Sequence, residues 1–116
     1  MNNNIVYRVE MKFKEGLEEK KYAELKQIAQ AAYDNRCGTM LDISDEVNKC
    51  IFEGGEDTFN CILLAQRELT PNKEFLMQLE KWDWEDFLEP EESGSVLEIA
   101  QRILATSNNT KKGSKR

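Results

Sequence analysis

The sequence predicts a single α+β domain with a small, mainly antiparallel sheet of three or four strands covered by about three helices. Residues 7–14 alternate strictly between apolar and charged side chains, which is the period of a strand with one wet face. Residues 17–34 place apolar side chains three and four positions apart, as in an amphipathic helix. A capping box at Ser95–Glu98 precedes a second apolar helical stripe.

The first half of the chain begins with a predicted strand at residues 4–14, which Glu15 and Gly16 end. The following helix, Leu17–Asp34, carries its apolar stripe on five side chains: Tyr22, Leu25, Ile28, Ala29 and Ala32. We expect this helix to end near residues 35–38, where asparagine, arginine and glycine occur together. From Thr39 onward, a short strand is predicted at Met40, Leu41 and Ile43.

A β-hairpin is predicted around the polar turn Gly54–Asp57, between residues 48–53 and 58–65. Symmetric pairing about this turn places three pairs of residues opposite each other: Glu53 with Thr58, Phe52 with Phe59, and Cys50 with Cys61. In a reducing compartment we expect the two cysteines to be small core residues, and a labile disulfide is the alternative.

The last third of the chain predicts two helices. Thr70 and Pro71 resemble a cap followed by a first-turn proline, so a helix is predicted at residues 71–82. Residues 82–88 either extend that helix or form a separate short segment before Pro90. The final helix ends near Ala105, and its apolar face is Leu97, Ala100, Ile103 and Leu104. The predicted order is β-α-β-β-β-α-α, with a domain at 1–105 and a flexible basic tail at 106–116.

Charge is distributed unevenly over the 116 residues, which include 16 basic side chains, 22 acidic side chains and no histidine. Every acidic residue and 12 of the basic ones lie before residue 111, so this part of the chain has a net charge of -10. The tail adds four positive charges, at Lys111, Lys112, Lys115 and Arg116. An acidic body disfavours direct binding to nucleic acid or to an anionic membrane.

The sequence predicts a cytoplasmic protein. It contains no apolar run of the roughly 18–20 residues that a membrane span needs, and its first residues lack the pattern of a secretion signal. The three cysteines, Cys37, Cys50 and Cys61, are spaced 13 and 11 residues apart. This spacing fits neither a disulfide framework nor a metal-binding or redox pair, so we expect reduced thiols.

Most catalytic templates are excluded by composition. Without histidine there is no Ser-His-Asp triad, Cys-His dyad or HExxH zinc site, and no glycine-rich phosphate loop or GxSxG motif occurs. Carboxylates remain, in one group at Asp42, Asp45 and Glu46 and a second within residues 83–92. The calcium-loop spacing is missing from both groups. We therefore predict a solvated acidic surface, with no catalytic residue, metal or cofactor.

The acidic tryptophan segment, residues 82–92, is the candidate functional site because it combines aromatic anchors with a strong negative charge. The predicted partner-binding residues are Trp82, Asp83, Trp84, Glu85, Asp86, Glu89, Glu91 and Glu92. In the alternative interpretation, Trp82 and Phe87 pack in the core, Trp84 covers them, and the acidic residues keep the edge of the domain soluble.

Three functions are compatible with the sequence. The first is a non-enzymatic module that binds a protein with a basic surface and inhibits or regulates a nucleic-acid-handling partner. In size and charge alone, the chain is similar to toxin-neutralising immunity proteins and to phage-encoded inhibitors of host nucleases. The second is an assembly subunit that forms a homodimer through Trp82, Trp84 and the outer face of the first strand. The third is a small-molecule-binding protein or a histidine-free enzyme that uses carboxylates with Tyr7, Tyr22 or Tyr33.

Overall fold

The computed structural model describes residues 5–37 and 40–114, which form a four-stranded antiparallel sheet and four α-helices. In chain order the elements are β1 (Tyr7–Phe13), α1 (Glu19–Cys37), β2 (Lys49–Gly54), α2 (Phe59–Leu69), α3 (Lys73–Met77), β3 (Leu79–Asp86), β4 (Gly94–Ser95) and α4 (Val96–Ser114). Short 3-10 helices occupy Glu56–Thr58 and Pro90–Glu92. The predicted α+β class and antiparallel sheet are confirmed. The element order begins β-α as predicted, the short strand predicted at residues 40–43 is absent, and the order differs again from residue 58 onward.

The strand order in the sheet is β2-β1-β3-β4, so β1 lies between β2 and β3. Met11 of β1 lies opposite Cys50 on one side and opposite Trp82 on the other. Burial along β1 alternates strictly, so the strand predicted from residues 4–14 is confirmed, with observed bounds of 7–13. Its apolar side chains lie under the helices, and Arg8, Glu10 and Lys12 lie on the open face.

The core lies between the sheet and the helices. The side chains of Met11, Phe52 and Trp82 are fully buried on the sheet, and Tyr33 is fully buried on α1. The Trp82 indole nitrogen donates a hydrogen bond of 3.3 Å to the Tyr33 hydroxyl. The Tyr33 ring stacks on Phe52 with ring centroids 4.5 Å apart. These contacts join α1 to two strands of the sheet.

Helix α1 confirms the predicted amphipathic helix. Most of its predicted apolar stripe is buried, while Ile28 lies at the edge and is 37% exposed. The Tyr22 hydroxyl donates a hydrogen bond of 2.6 Å to the Lys14 carbonyl and so fixes the turn between β1 and α1. Gly16 in this turn has a φ of 89°, a conformation that favours glycine.

The predicted hairpin at residues 48–65 is wrong, because α2 replaces its second strand. Phe52 and Cys50 pair with β1 and not with Phe59 and Cys61. A Cβ atom on Gly54 would collide with the Thr58 hydroxyl oxygen, so the chain turns tightly here into a helix. The pairing of β2 with β1 stabilises this arrangement more than the turn sequence stabilises the predicted hairpin.

The helix predicted at residues 71–82 is only partly confirmed, because the helix in this range spans Lys73–Met77. Thr70 is the C-cap residue of α2, and Asn72 is the N-cap residue of α3, accepting a 3.1 Å hydrogen bond from the Phe75 N–H. Helix α3 ends at Met77, and residues 79–86 form β3. Seven residues of β1 pair with β3 along the edge that β2 leaves free. This pairing stabilises an extended conformation for residues 79–86, whose sequence alone does not decide between a helix and a strand.

The strand predicted from Thr39 is absent at residues 40–46, where the chain forms a loop, and Thr39 itself lies outside the described residues. One Asp42 carboxylate oxygen accepts hydrogen bonds of 2.9 Å from the Ser44 N–H and 2.8 Å from the Ile51 N–H. The other oxygen lies 3.4 Å from the Lys26 ammonium. The Ile43 N–H donates to the Ile51 carbonyl at 2.8 Å. The loop therefore covers the outer edge of β2.

Helix α4 begins at the predicted capping residue, since the Glu98 N–H donates a 3.1 Å hydrogen bond to the Ser95 hydroxyl. It extends to Ser114, beyond the predicted end near Ala105, while the flexibility of the basic tail stays a prediction. Val96 and Ala100 are buried against the rest of the domain. Across residues 5–37 and 40–114, no helix combines the length and apolarity of a membrane span.

Candidate functional site

The acidic tryptophan segment is divided between the two faces of the sheet. Residues 79–86 form a strand, so successive side chains point to opposite faces. The helix-covered face carries Trp82, Trp84 and Asp86. The open face carries Asp83 and Glu85, and the exposed segment before β4 carries Glu89, Glu91 and Glu92. The eight predicted partner-binding residues are therefore not brought together on one surface.

Trp82 and Asp86 have internal contacts. Trp82 is 0% exposed, as the core interpretation predicts, whereas Phe87 is 45% exposed and lies outside the core. Asp86 is 9% exposed, and its carboxylate accepts 3.0 Å hydrogen bonds from the N–H groups of Leu88 and Glu89. These bonds fix the turn that carries Glu89 away from the end of β3.

The open face of the sheet carries charges of both signs. The Glu10 carboxylate lies 3.3 Å from the Lys49 ammonium and 3.7 Å from the Lys81 ammonium. Lys81 also lies 3.7 Å from Asp83. Partly exposed ion pairs of this kind contribute little to stability, about 0–1 kcal/mol each. They do reduce the negative potential around Asp83, so this face is a weaker site for a basic partner than its sequence indicates.

A groove of about 1000 Å³ lies between α2 and α4 on the helix-covered side. Phe59 and Leu63 form one apolar wall, and Ile99 and Ile103 form the other. These four side chains are 39–54% exposed, although side chains of this type are usually buried. A concave apolar surface of this kind is typical of a binding site.

Three aromatic rings lie together in the groove, and we call Tyr7, Phe59 and Trp84 the aromatic floor. Tyr7 stacks on Trp84 with centroids 4.9 Å apart and an interplanar angle of 20°. The Phe59 ring lies 5.5 Å from Tyr7 and 5.9 Å from Trp84. The Tyr7 side chain is 9% exposed, and its hydroxyl makes no hydrogen bond to any residue in the described part of the chain.

The groove is lined by more acidic than basic side chains. Its carboxylates are those of Glu56, Asp86, Glu89 and Glu92, and its cation is Arg67. Burial raises the pKa of Tyr7, and the negative charges of Asp86, Glu56 and Glu89 raise it further. The groove therefore combines apolar walls with a negative potential around the aromatic floor.

The wall of α2 also contains a polar atom without a partner. Gln66 lines the groove, and its buried side-chain nitrogen has no hydrogen-bond partner. Buried donors without a partner are uncommon in folded proteins because their desolvation is not compensated. A ligand that supplies a carbonyl oxygen at this position would satisfy the donor.

The cysteine pair predicted across the hairpin is not formed, and Cys50 and Cys61 are free thiols on β2 and α2. Cys50 is fully buried, and Cys61 donates a hydrogen bond of 3.1 Å to the Thr58 carbonyl. Burial raises the pKa of the Cys50 thiol to about 12, and the Asp42 charge contributes in the same direction. These observations agree with the expected small core cysteine at position 50.

In a Cys37→Ser variant, we expect iodoacetamide to modify the partly exposed Cys61 and to leave Cys50 unmodified in the native state. Cys50 is buried, and burial raises its pKa and so suppresses the reactive thiolate. Peptide mass spectrometry of native and urea-unfolded samples measures both sites. Modification of Cys50 at the same rate in both samples would contradict this expectation.

The raised pKa of Cys50 also makes stability depend on pH. Because its native pKa lies above the ordinary 9.0, the protonated thiol supports folding fully below pH 9, and this contribution falls as the pH rises toward about 12.

The acidic group at Asp42, Asp45 and Glu46 is not arranged as a metal cluster in the structure. Within the described residues, no set of three or more aspartate, glutamate or cysteine side chains is arranged to hold a metal ion. Asp42 instead binds the backbone of its own loop and of β2, as described above. Asp45 and Glu46 are exposed.

Sequence reasoning did not identify Phe59, Leu63 and Ile99 as site residues. Phe59 and Leu63 were interpreted as a strand, and Ile99 lies beside the stripe assigned to the final helix. A signal was present, since α2 and α4 each carry apolar side chains outside their buried stripes, at a spacing of four residues. The chain matches no protein-family model, no curated protein and no solved structure. The protein is therefore a two-layer α+β protein whose groove has apolar walls and charged residues that are mostly acidic.

Proposed function

We propose that this chain is a non-enzymatic, cytoplasmic protein-binding module that inhibits or regulates a basic, nucleic-acid-handling protein of a bacterium or phage. Its binding site is the groove between α2 and α4, and the ligand is an amphipathic basic segment of the partner. The observation that carries this proposal is the combination of exposed apolar walls with charged lining residues that are mostly acidic. The free thiols of Cys50 and Cys61 support a reducing compartment.

The shape of the groove fits a helical segment. Phe59 and Leu63 are four residues apart on α2, and Ile99 and Ile103 are four residues apart on α4. Each wall therefore presents two apolar contacts about one helical turn apart. An amphipathic helix inserted between them would place its own apolar side chains against both walls, which is a recurring mode of peptide recognition.

The charge of the groove favours a partner with a basic surface. Four carboxylates and one guanidinium line it, and the chain has a formal net charge of -6. This excess attracts a basic protein, accelerates its association and repels phosphates. A protein that handles nucleic acid carries the required positive surface, and an acidic module bound there would compete with the nucleic acid.

Replacing Leu63 with aspartate tests this proposal, and Leu64→Asp is the matched control. Both leucines are on α2 with similar exposure, 42% and 45%, but only Leu63 lines the groove. We expect Leu63→Asp to abolish most capture of a basic partner from nuclease-treated bacterial lysate, because it places a charge in the apolar contact. Leu64→Asp retains capture, and added DNA displaces the partner from the unmodified protein.

Two results would contradict the proposal. Equal loss of partner in both variants would show that the groove is not the contact surface. A concentration-dependent dimer that only Leu63→Asp dissociates, with no basic partner captured, would favour a second copy of the chain as the occupant. Thermal unfolding of both variants verifies that they are folded, and light scattering measures their mass.

A further inference from the structure

The aromatic floor occupies a position where the apolar groove meets its carboxylates. Tyr7 belongs to the central strand, Trp84 to its neighbour and Phe59 to the first turn of α2. Phe59 is 39% exposed and Trp84 is partly exposed, so ring surface remains accessible from the groove. Aromatic faces attract cations through their quadrupole, especially where water is excluded.

Within the described part of the chain, the charged groups that act on Tyr7 are all acidic. Tyr7 as a whole is 9% exposed, and its hydroxyl makes no hydrogen bond among the described residues, so it is open to a ligand in the groove. Asp86, Glu56 and Glu89 all act on this hydroxyl by charge, and each raises its pKa. Three aromatic rings therefore lie in contact in the part of the groove where three carboxylates act on the Tyr7 hydroxyl. A positive group placed there would interact favourably with all of them.

We propose that the aromatic floor, together with Glu56 and Glu89, is a subsite for a single basic side chain, lysine or arginine, of the segment that occupies the groove. This inference rests on the proposed function, because it assigns one specific contact to the same site. The apolar walls bind the apolar face of the segment. The subsite requires a cation at one position of that segment, and so it distinguishes basic amphipathic segments from neutral ones.

The test uses small probes that reproduce the two features of the segment. The full chain is titrated with n-hexylammonium, 1-hexanol and hexanoate, and the backbone amide shifts of Phe59 and Trp84 are followed by NMR. We expect hexylammonium to bind about fivefold more tightly than hexanol, in line with a partly desolvated cation–π contact. Hexanoate, which carries the opposite charge, binds more weakly than either.

Two charge-matched double variants separate a local site from the general attraction of an acidic protein. Glu56→Gln/Glu89→Gln removes two carboxylates of the groove, and Glu91→Gln/Glu98→Gln removes two that do not line it. We expect the preference for hexylammonium over hexanol to fall below about twofold in the first variant and to persist in the second. Tyr7→Phe keeps the ring, removes the hydroxyl and lowers the preference by a factor of about two.

Equal affinities for hexylammonium and hexanol would overturn the subsite, as would equal losses of preference in the two double variants. A failure to detect any hexylammonium binding would overturn it as well. The proposed function is decided separately by the Leu63→Asp and Leu64→Asp comparison. Retained cation preference with no captured partner would refute the protein-binding role alone, and captured partner without cation preference would refute the subsite alone.

Discussion

Replacing Trp82 with alanine lowers the free energy of unfolding by about 3–5 kcal/mol, as expected for the loss of a large ring from a packed core. The side chain is 0% exposed and lies opposite Met11 of the central strand. The change also removes the donor to the Tyr33 hydroxyl. Urea denaturation monitored by circular dichroism measures the difference. An effect of this size would consume much of the stability of a small domain.

Trp84→Ala is the control for this change, because Trp84 is on the same strand and same face but is only partly buried. We expect it to destabilise the domain less than Trp82→Ala and to weaken binding in the groove more. If Trp82→Ala does not fold, Trp82→Phe keeps most of the ring and allows the same comparison. Equal destabilisation at both positions would show that the core assignment of Trp82 is wrong.

Asp42→Ala lowers the free energy of unfolding by about 2–3 kcal/mol, because two backbone donors lose one shared acceptor. The N–H groups of Ser44 and Ile51 donate to the same Asp42 oxygen, and Lys26 loses its anionic partner. The loop that covers β2 is then released, and the exposed strand edge promotes aggregation. Thermal unfolding and light scattering measure the two effects.

The matched comparison is Asp42→Asn, which keeps the acceptor oxygen and removes the charge. We expect it to destabilise the domain by less than about 1 kcal/mol, since the interaction with Lys26 is that of a partly exposed ion pair. Asp45→Ala, in the same loop but exposed, has little effect. If Asp42→Asn were as destabilising as Asp42→Ala, the ion pair would dominate over the two backbone hydrogen bonds.

The strand β1 and the helix α1 could be predicted because each has one buried and one solvated face. Apolar and charged residues therefore recur at regular intervals along the sequence. Arg8, Glu10 and Lys12 alternate with buried residues in β1. In α1, Tyr22 and Leu25 begin a stripe that recurs every three or four residues. Local periodicity was sufficient for these elements because their environments differ clearly from one face to the other.

The period of α2 is hidden for a physical reason. Ile62 and Ala65 face the core, but Phe59, Leu63 and Leu64 on its other sides are apolar and exposed. A helix that is apolar on several faces shows no clear contrast, and a run of this kind is read equally well as a strand. The groove wall that suggests a function is thus the same feature that made the helix unpredictable.

The aromatic floor lay beyond prediction from local spacing. Tyr7, Phe59 and Trp84 come from three segments of the chain, and only pairing of β3 with β1 brings two of them together. That pairing depends on the free edge of the central strand and not on the sequence of residues 79–86 alone. The predicted tryptophan segment contributed Trp84, Asp86, Glu89 and Glu92 to the groove, while Trp82 belongs to the core.

The unequal burial of the two tryptophans gives the protein an intrinsic optical reporter. Trp82 is enclosed by the core, and Trp84 borders the groove. We expect a soluble cationic quencher such as caesium to reach the indole of Trp84 and to be excluded from that of Trp82. The tryptophan fluorescence of the unlabelled chain therefore contains one component, from Trp82, that stays constant. A second component, from Trp84, changes when the groove is filled. Occupancy can be followed in a mixture without attaching a dye to any of its thiols.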